Sequence, residues 1–143
     1  NIHADPEAAA EVFAAGAAPV MFGLNVCRQV EIGVEYARSL RGIGSERAAI
    51  FADHLQAYAG LGRTKQRMAL YDPTPVAWLA NPDAFTLTDA HVAVELDGRL
   101  TRGMTVCEFR VPRKAPANAR IAMHVDARRV LDSSMATLAS LLA

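Results

Sequence analysis

Three consecutive residues, Tyr71, Asp72 and Pro73, are where the sequence most clearly predicts chemistry. A tyrosine hydroxyl, which can donate a hydrogen bond, stands beside a carboxylate, which can bind a cation or accept hydrogen bonds. Pro73 suits the first position of a helix, so both groups are predicted to lie at a helix start. Asp72 has two interpretations there: its side chain can cap the helix, or it can bind a metal ion.

The composition argues against several classes of function. Of the 143 residues, 15 are Lys or Arg and 15 are Asp or Glu, so no net charge favours nucleic acid or an anionic membrane as a partner. No apolar run reaches the roughly 20 residues that a membrane-spanning helix needs. Cys27 and Cys107 form neither a zinc motif nor a disulfide framework. This cysteine usage favours a reducing compartment, and we expect a cytoplasmic protein.

The residues around the Tyr-Asp pair predict helices and one buried strand. Asp5-Pro6-Glu7 is typical of a helix start, and Gly16 of the end of that helix. The apolar run Pro19–Val26 predicts a strand covered on both faces, with polar Asn25 near its carboxyl end, where ligands bind in open parallel sheets. Further helices are predicted over residues 30–39, 45–58 and 74–80.

The second half of the chain predicts more strands and a closing helix. Residues 91–96 and 104–109, with Asp97-Gly98 as turn, predict a β-hairpin. A strand is predicted over residues 120–125 and a helix over 128–142. The predicted fold class is therefore α/β: part of an open, mostly parallel sheet flanked by helices, with a β-hairpin in the second half.

Four segments, in their order along the chain, resemble inosine-uridine nucleoside hydrolases. They are Asn-Ile-His-Ala-Asp-Pro-Glu-Ala-Ala at 1–9, Gly-Leu-Asn-Val at 23–26, Tyr-Asp-Pro at 71–73 and Leu-Thr-Arg-Gly-Met-Thr-Val at 100–106. The family's aspartate-rich Asp-x-Asp-x-x-x-Asp-Asp motif is not found. The resemblance implies that residues 1–143 are the C-terminal half of a single nucleoside hydrolase-like domain. The chain starts at Asn1 rather than at Met, and we expect that it was trimmed or cleaved at its start or that the sequence is incomplete there.

The resemblance also implies a chemistry for Tyr71 and Asp72. The family hydrolyses the N-glycosidic bond of ribonucleosides with a calcium ion that activates water and holds the ribose diol. By resemblance, Asp72 is a calcium ligand, and Tyr71 stands where the family has a His that helps to protonate the leaving base. A Tyr hydroxyl, with an ordinary pKa of about 10 against about 6.5 for His, is a weaker general acid at neutral pH but still donates a hydrogen bond. Because calcium takes about 6 to 8 oxygens, the site is expected to hold Ca2+ only when complete.

Three further residues are predicted to bind substrate. By resemblance, Asn1 hydrogen-bonds the ribose hydroxyls and Asn25 lies below the pocket. Arg63, with Lys65 and Arg67 in the basic loop at residues 60–67, is predicted to contact the nucleobase. Their alternatives are a solvated terminus, a turn former at a strand end and a solvated surface charge, respectively. Cys27 is predicted to be a small buried residue.

Two functions follow from these observations. The first is hydrolysis of ribonucleosides by calcium-activated water in the complete enzyme, with the isolated chain inactive. The alternative is a non-catalytic, truncated or degenerate relative that acts as a binding or interaction module. The expected partners are a ribonucleoside substrate, the N-terminal half of the same domain and further copies of the chain in a homo-oligomer, with no nucleic acid and no membrane.

Overall fold

The structure, a computed structural model, describes residues 1–61, 67–112 and 114–143. The chain divides into two compact units, the first formed by residues 1–21 and 87–123 and the second by residues 22–86 and 124–143. The elements are α1 (Pro6–Ala14), β1 (Val20–Met21), α2 (Leu24–Cys27), β2 (Glu31–Gly33), α3 (Val34–Arg41), α4 (Glu46–Gly60), β3 (Arg67–Ala69), α5 (Pro73–Ala80), a 3-10 turn (Pro82–Ala84), β4 (Phe85–Val94), β5 (Thr105–Glu108), β6 (Ala119–Val125) and α6 (Ala127–Leu142).

Helix α1 forms as its sequence predicts. The Asp5 side chain accepts a 3.0 Å hydrogen bond from the Ala8 N–H, and Pro6 occupies the first helical turn. Gly16 follows the helix with a φ of 76°, a left-handed conformation that glycine adopts without strain. The helix contributes Phe13 to the core of the first unit, whose other buried members are Ala90, Val92, Ala119 and Ile121.

The main sheet has four strands in the order β1-β6-β4-β5. Strand β1 is parallel to β6, with Val20 opposite Arg120, whereas β4 and β5 are antiparallel. Strands β6 and β4 also run in opposite directions, since Asn118 N–H bonds to the Ala90 carbonyl at one end and Asp126 N–H to the Ala84 carbonyl at the other. The sheet is therefore mostly antiparallel, and the prediction of a mostly parallel sheet was wrong.

The predicted β-hairpin is confirmed as β4 and β5, with His91 opposite Glu108 and Val94 opposite Thr105. Its connection is the longer segment 95–104 rather than a two-residue turn at Asp97-Gly98. The Glu95 carboxylate orders this segment by accepting hydrogen bonds from the main-chain N–H groups of Asp97 and Gly98.

The predicted strand over Pro19–Val26 is mostly not a strand. Only Val20–Met21 pairs in the sheet, and after an extended Gly23 the chain turns into α2, where the Cys27 N–H bonds to the Gly23 carbonyl at 3.1 Å. Asn25 is therefore on an exposed side of a short helix instead of at a strand end. A short apolar run does not by itself distinguish a buried strand from a buried helical turn, which explains the error.

The second unit contains a two-stranded antiparallel sheet, in which β2 pairs with β3 and Ile32 lies opposite Met68. The helix predicted over residues 30–39 therefore begins only at Val34. Helix α4 begins where predicted, because the Ser45 hydroxyl accepts a hydrogen bond from the Ala48 N–H at 3.1 Å. Predicted site residue Arg63 falls in 62–66, outside the described residues.

No helix within the described ranges has the length and apolar character needed to cross a membrane.

Candidate functional site

Tyr71 and Asp72 lie immediately before α5 in the second unit, as predicted. Asp72 occupies the N-cap position, but its backbone is already helical (φ −66°, ψ −31°) and its side chain makes no capping hydrogen bond. The carboxylate is at the surface and takes part in none of the ion pairs formed among the described residues. The capping interpretation of Asp72 is therefore wrong, and its carboxylate remains exposed beside Tyr71.

Thr74 holds this helix start from the inside. It is 1% exposed, and its hydroxyl donates a 2.5 Å hydrogen bond to the Leu70 carbonyl. Its main-chain N–H bonds to the Tyr71 carbonyl at 3.2 Å. One buried residue, Thr74, thus binds the carbonyl groups of both Leu70 and Tyr71, and sequence reasoning did not identify it.

Cys27 connects α2 to the same turn. Its thiol donates weak hydrogen bonds to the carbonyl oxygens of Tyr71, at 3.7 Å, and Phe22, at 3.8 Å. Burial raises the pKa of the Cys27 thiol; a hydrogen bond with Thr74 opposes this effect, and the negative charge of Asp72 adds to it. Cys27 is 4% exposed, which confirms the prediction of a small buried residue and gives it a neutral thiol.

Tyr58, on α4, is a second tyrosine that the sequence analysis did not select. Its hydroxyl donates a 3.0 Å hydrogen bond to the Ala69 carbonyl. Burial raises the pKa of Tyr58 first, and Tyr71 and Asp72 raise it further, so all three side chains are within electrostatic range. Tyr58 has no sequence motif that marks it, and only the tertiary fold brings it here. We call the group Cys27, Tyr58, Tyr71, Asp72 and Thr74 the Tyr71 cluster.

Asn25 belongs to the same unit, two positions before Cys27. Its main-chain carbonyl accepts a 3.0 Å hydrogen bond from the Gln29 side chain. Its side-chain oxygen folds back over Gly23, where a Cβ atom would lie only 2.6 Å away. The glycine in the Gly-Leu-Asn-Val motif therefore makes room for the Asn25 amide.

Asn1 lies in the first unit, where its segment is held by residues 95–104. The Asn1 side chain is exposed, but Ile2 packs against the core cluster and the His3 ring hydrogen-bonds the Arg102 carbonyl at 3.2 Å. The Arg102 guanidinium donates to Glu7 and to the Leu96 carbonyl, both at 2.6 Å. The terminus is therefore anchored, and the motifs at residues 1–9 and 100–106 contact each other.

Gly103 permits this contact. Its φ is 82°, and a Cβ atom there would lie 2.9 Å from the His3 Cα. A close approach of two backbones at a left-handed residue requires glycine. The sequence analysis included Arg102 and Gly103 in a motif but did not assign them this anchoring role.

The described residues do not fit a calcium ion by themselves. They contain no group of three or more His, Cys, Asp or Glu side chains placed to hold a metal. Asp72 offers one exposed carboxylate, whereas calcium takes about 6 to 8 oxygens. Chemically, the arrangement offers one anionic ligand and, in Tyr71, one phenolic hydrogen-bond donor next to it.

Comparison with known sequences identifies the family and its relatives. The family model of the inosine-uridine preferring nucleoside hydrolase matches residues 1–132. The chain is 35% identical over 136 residues to the pyrimidine-specific ribonucleoside hydrolase RihA of Escherichia coli O1:K1. The matched region covers 92% of this chain and 44% of that protein. The chain is equally similar to RihA of Escherichia fergusonii. It therefore spans less than half the length of these curated relatives.

Solved structures show the same relationship. The purine-preferring ribonucleoside hydrolase from Gardnerella vaginalis superposes with a TM-score of 0.84 at 28% identity, covering 99% of this chain and 46% of that one. The plant nucleoside hydrolase PpNRh1 superposes with a TM-score of 0.76 at 26% identity, covering 94% and 45%. The sequence match over residues 1–132 and these superpositions place the chain in the inosine-uridine preferring nucleoside hydrolase family.

Proposed function

We propose that this chain is the C-terminal half of a ribonucleoside hydrolase, and that the complete enzyme hydrolyses the N-glycosidic bond of ribonucleosides. The observation that carries the proposal is that, in a member of this family, the Asp72 carboxylate beside Tyr71 is exposed and makes no helix-capping hydrogen bond. One relative is described as pyrimidine-specific and one as purine-preferring, so the proposal names ribonucleosides as the substrate class and does not specify the base.

Asp72 is proposed to be one calcium ligand in the complete enzyme. Its side chain is used neither as a helix cap nor in an ion pair among the described residues, so binding a cation there breaks no described interaction. The other oxygens would come from the remainder of the domain. When bound, calcium supplies positive charge that lets water act as a nucleophile near neutral pH.

Tyr71 is proposed to donate a hydrogen bond to the departing base. Cys27 and Thr74 both donate hydrogen bonds to the main-chain carbonyl of Tyr71, so its side chain extends from a fixed backbone. Asn1 is proposed to bind the ribose hydroxyls from an anchored segment, and Asn25 and Arg63 to contribute to the substrate pocket. The assignments of Asn1 and Asn25 rest on the resemblance at each position, and that of Arg63 on its place in a basic loop.

The remainder of the domain is the proposed partner. On α5, directly after the Tyr71 cluster, Val76 and Leu79 are 65% and 74% exposed. Because they are three positions apart, the two side chains lie on the same side of α5, and contiguous exposed apolar patches mark association surfaces. We also propose that the protein forms a homo-oligomer and is cytoplasmic.

A second candidate is a non-catalytic binding module. The observation that favours it is Tyr71 itself, because a phenol transfers a proton near neutral pH less readily than the imidazole found at that position in the family. On this alternative, Tyr71 and Asp72 maintain the local structure of the site, but the protein does not hydrolyse ribonucleosides.

Ribose release by the complete protein tests both candidates. We expect release from an ordinary nucleoside and faster release from an activated nucleoside with a good leaving group. Tyr71→His should raise turnover of the ordinary nucleoside by about 100-fold or more and change that of the activated nucleoside far less, since a well-placed general acid matters only when the base needs protonation. Equal changes for the two substrates would make Tyr71 a packing residue. No release of ribose from either substrate by the folded, calcium-supplied protein would favour the binding module.

A further inference from the structure

A pocket of about 430 Å3 lies in the second unit, and no residue of the Tyr71 cluster lines it. Its volume falls within the range of about 300 to 1,000 Å3 that small-molecule sites occupy. Three arginines, Arg28, Arg67 and Arg128, line it together with two carboxylates, Glu31 and Asp132. Because Glu35 also pairs with Arg67, carboxylates and guanidinium groups balance here, and a preference for an anion depends on the arginines that lack a close carboxylate partner.

The arginines retain donors for such a ligand. Arg67 uses one terminal nitrogen to bind Glu35 at 2.6 Å, which leaves its other N–H groups available. Arg128 approaches Asp132 only at 3.6 Å, and these side chains are 91% and 65% exposed, so that pair holds Arg128 weakly. Arg28 is in no ion pair with any described residue.

Hydrogen bonds within the protein hold the backbone segments around the pocket in place. Gln29 accepts a hydrogen bond from the Val125 N–H at 3.3 Å and donates one to the Asn25 carbonyl at 3.0 Å. Behind it, the Leu70 N–H bonds to the Val30 carbonyl at 2.8 Å and extends the pairing of β2 with β3. The residues that carry the arginines are therefore positioned before any ligand arrives.

Gly33 leaves room for the Glu35 side chain that binds Arg67. A Cβ atom on Gly33 would overlap the present position of the Glu35 carboxylate. Glu35 fills the space and holds the Arg67 guanidinium at the pocket. Both side chains are about half exposed, so this ion pair restrains Arg67 only partly.

We propose that this pocket binds a phosphorylated small molecule that also carries hydroxyl groups. Guanidinium groups match the geometry of phosphate oxygens and bind them through charge-assisted hydrogen bonds. The carboxylates of Glu31 and Asp132 accept hydrogen bonds from the hydroxyl groups, and Tyr36 and Leu131 supply the less polar wall. A dianionic phosphate can be bound by both Arg28 and Arg128, which lack a close carboxylate partner among the described residues, and therefore suits the pocket better than a monoanionic carboxylate does.

Binding to the chain itself tests the proposal, independently of ribonucleoside hydrolysis. At constant ionic strength, the chain is titrated with inorganic phosphate, glycerol 3-phosphate and acetate while amide chemical shifts are recorded. We expect saturable shifts at residues 28–31, 67 and 127–132 with both phosphates, tighter binding of glycerol 3-phosphate, and none with acetate. Absent or unsaturable shifts, or equal binding of acetate, would overturn it.

Matched arginine variants locate the site. Arg28→Gln and Arg128→Gln should each weaken phosphate binding by about tenfold, the effect of losing one charge-assisted hydrogen bond. Arg129→Gln removes the same charge from the neighbouring position of α6, which does not line the pocket, and should change the affinity by less than about twofold. A loss with Arg129→Gln as large as with Arg28→Gln would show only general attraction to positive charge and contradict the site. An unchanged thermal midpoint confirms that each variant is folded.

Discussion

The thiol of Cys27 lies 3.7 Å from the main-chain carbonyl oxygen of Tyr71 and donates a hydrogen bond to it, across 44 positions of sequence. Because the Thr74 N–H bonds to the same carbonyl at 3.2 Å, the backbone of Tyr71 is fixed by α2 on one side and by the first turn of α5 on the other. The side chains of Tyr71 and Asp72, which are proposed to act in the reaction, therefore extend from a turn that two buried residues, Cys27 and Thr74, support.

The first prediction concerns the Thr74 hydroxyl. Thr74→Val keeps the shape but removes the donor to the Leu70 carbonyl, and should lower the free energy of unfolding by about 1 kcal/mol or more. Thr137 makes the equivalent bond to the Ser133 carbonyl on the exposed side of α6, so Thr137→Val should cost less than about 0.5 kcal/mol. Urea denaturation measures both; equal losses would mean that the Thr74 bond has no special role.

The second prediction compares two glycines to separate the cost of backbone strain from the cost of a steric clash. Gly16 and Gly103 both have left-handed backbones, but a Cβ atom at Gly16 meets nothing within 4 Å, whereas at Gly103 it would touch the His3 backbone. Gly16→Ala should cost about 1 to 2 kcal/mol of unfolding free energy, and Gly103→Ala at least about 1 kcal/mol more. Gly103→Ala should also speed hydrogen exchange of residues 2–4. Equal costs for the two variants would contradict the proposed anchoring of the Asn1 segment.

The third prediction is a loss of stability in acid. Hydrogen bonds from Arg110 lower the pKa of Glu108 from 4.5 to about 2, and the main-chain N–H groups of Asp97 and Gly98 lower that of Glu95. A carboxylate with a lowered folded-state pKa stabilises the protein above its unfolded pKa. The Glu108 contribution should therefore disappear as the pH falls from about 4.5 to about 2.

Urea midpoints recorded between pH 7 and pH 2 measure this loss. Glu95→Gln and Glu108→Gln should each flatten the acid dependence. Glu11→Gln, at an exposed position of α1 outside the ion pairs of the described residues, should leave it unchanged. An acid dependence that is identical in wild type and in Glu108→Gln would refute the assignment.

Features encoded by neighbouring residues could be predicted from the sequence. Asp5 and Ser45 cap α1 and α4 through bonds to the N–H groups three positions later, so a local pattern suffices. Strand direction depends instead on pairings such as that of β6 with β4, between segments far apart in sequence. The apolar run at 19–26 looked the same whether it paired as a strand or folded as α2 against the core.

The candidate site divides in the same way. Tyr71 and Asp72 are adjacent in sequence, so the resemblance found them together at a helix start. Cys27 and Tyr58 come from other elements, and their proximity to Tyr71 follows only from tertiary contacts. Conversely, the strong local preference of Asp for helix caps predicted a role for Asp72 that the structure does not use.

Ribose release by Asp72→Asn, measured in the chain joined to the remainder of the family domain, tests the central claim most directly. Asn keeps the size of the side chain but removes the negative charge proposed to bind calcium. We predict that ribose release falls by about 100-fold or more, because a metal ion contributes several kcal/mol to such a reaction. Asp83→Asn, at an exposed position on the 3-10 turn after α5, should leave the rate unchanged. Wild-type rates of calcium-dependent ribose release from folded Asp72→Asn would contradict the account.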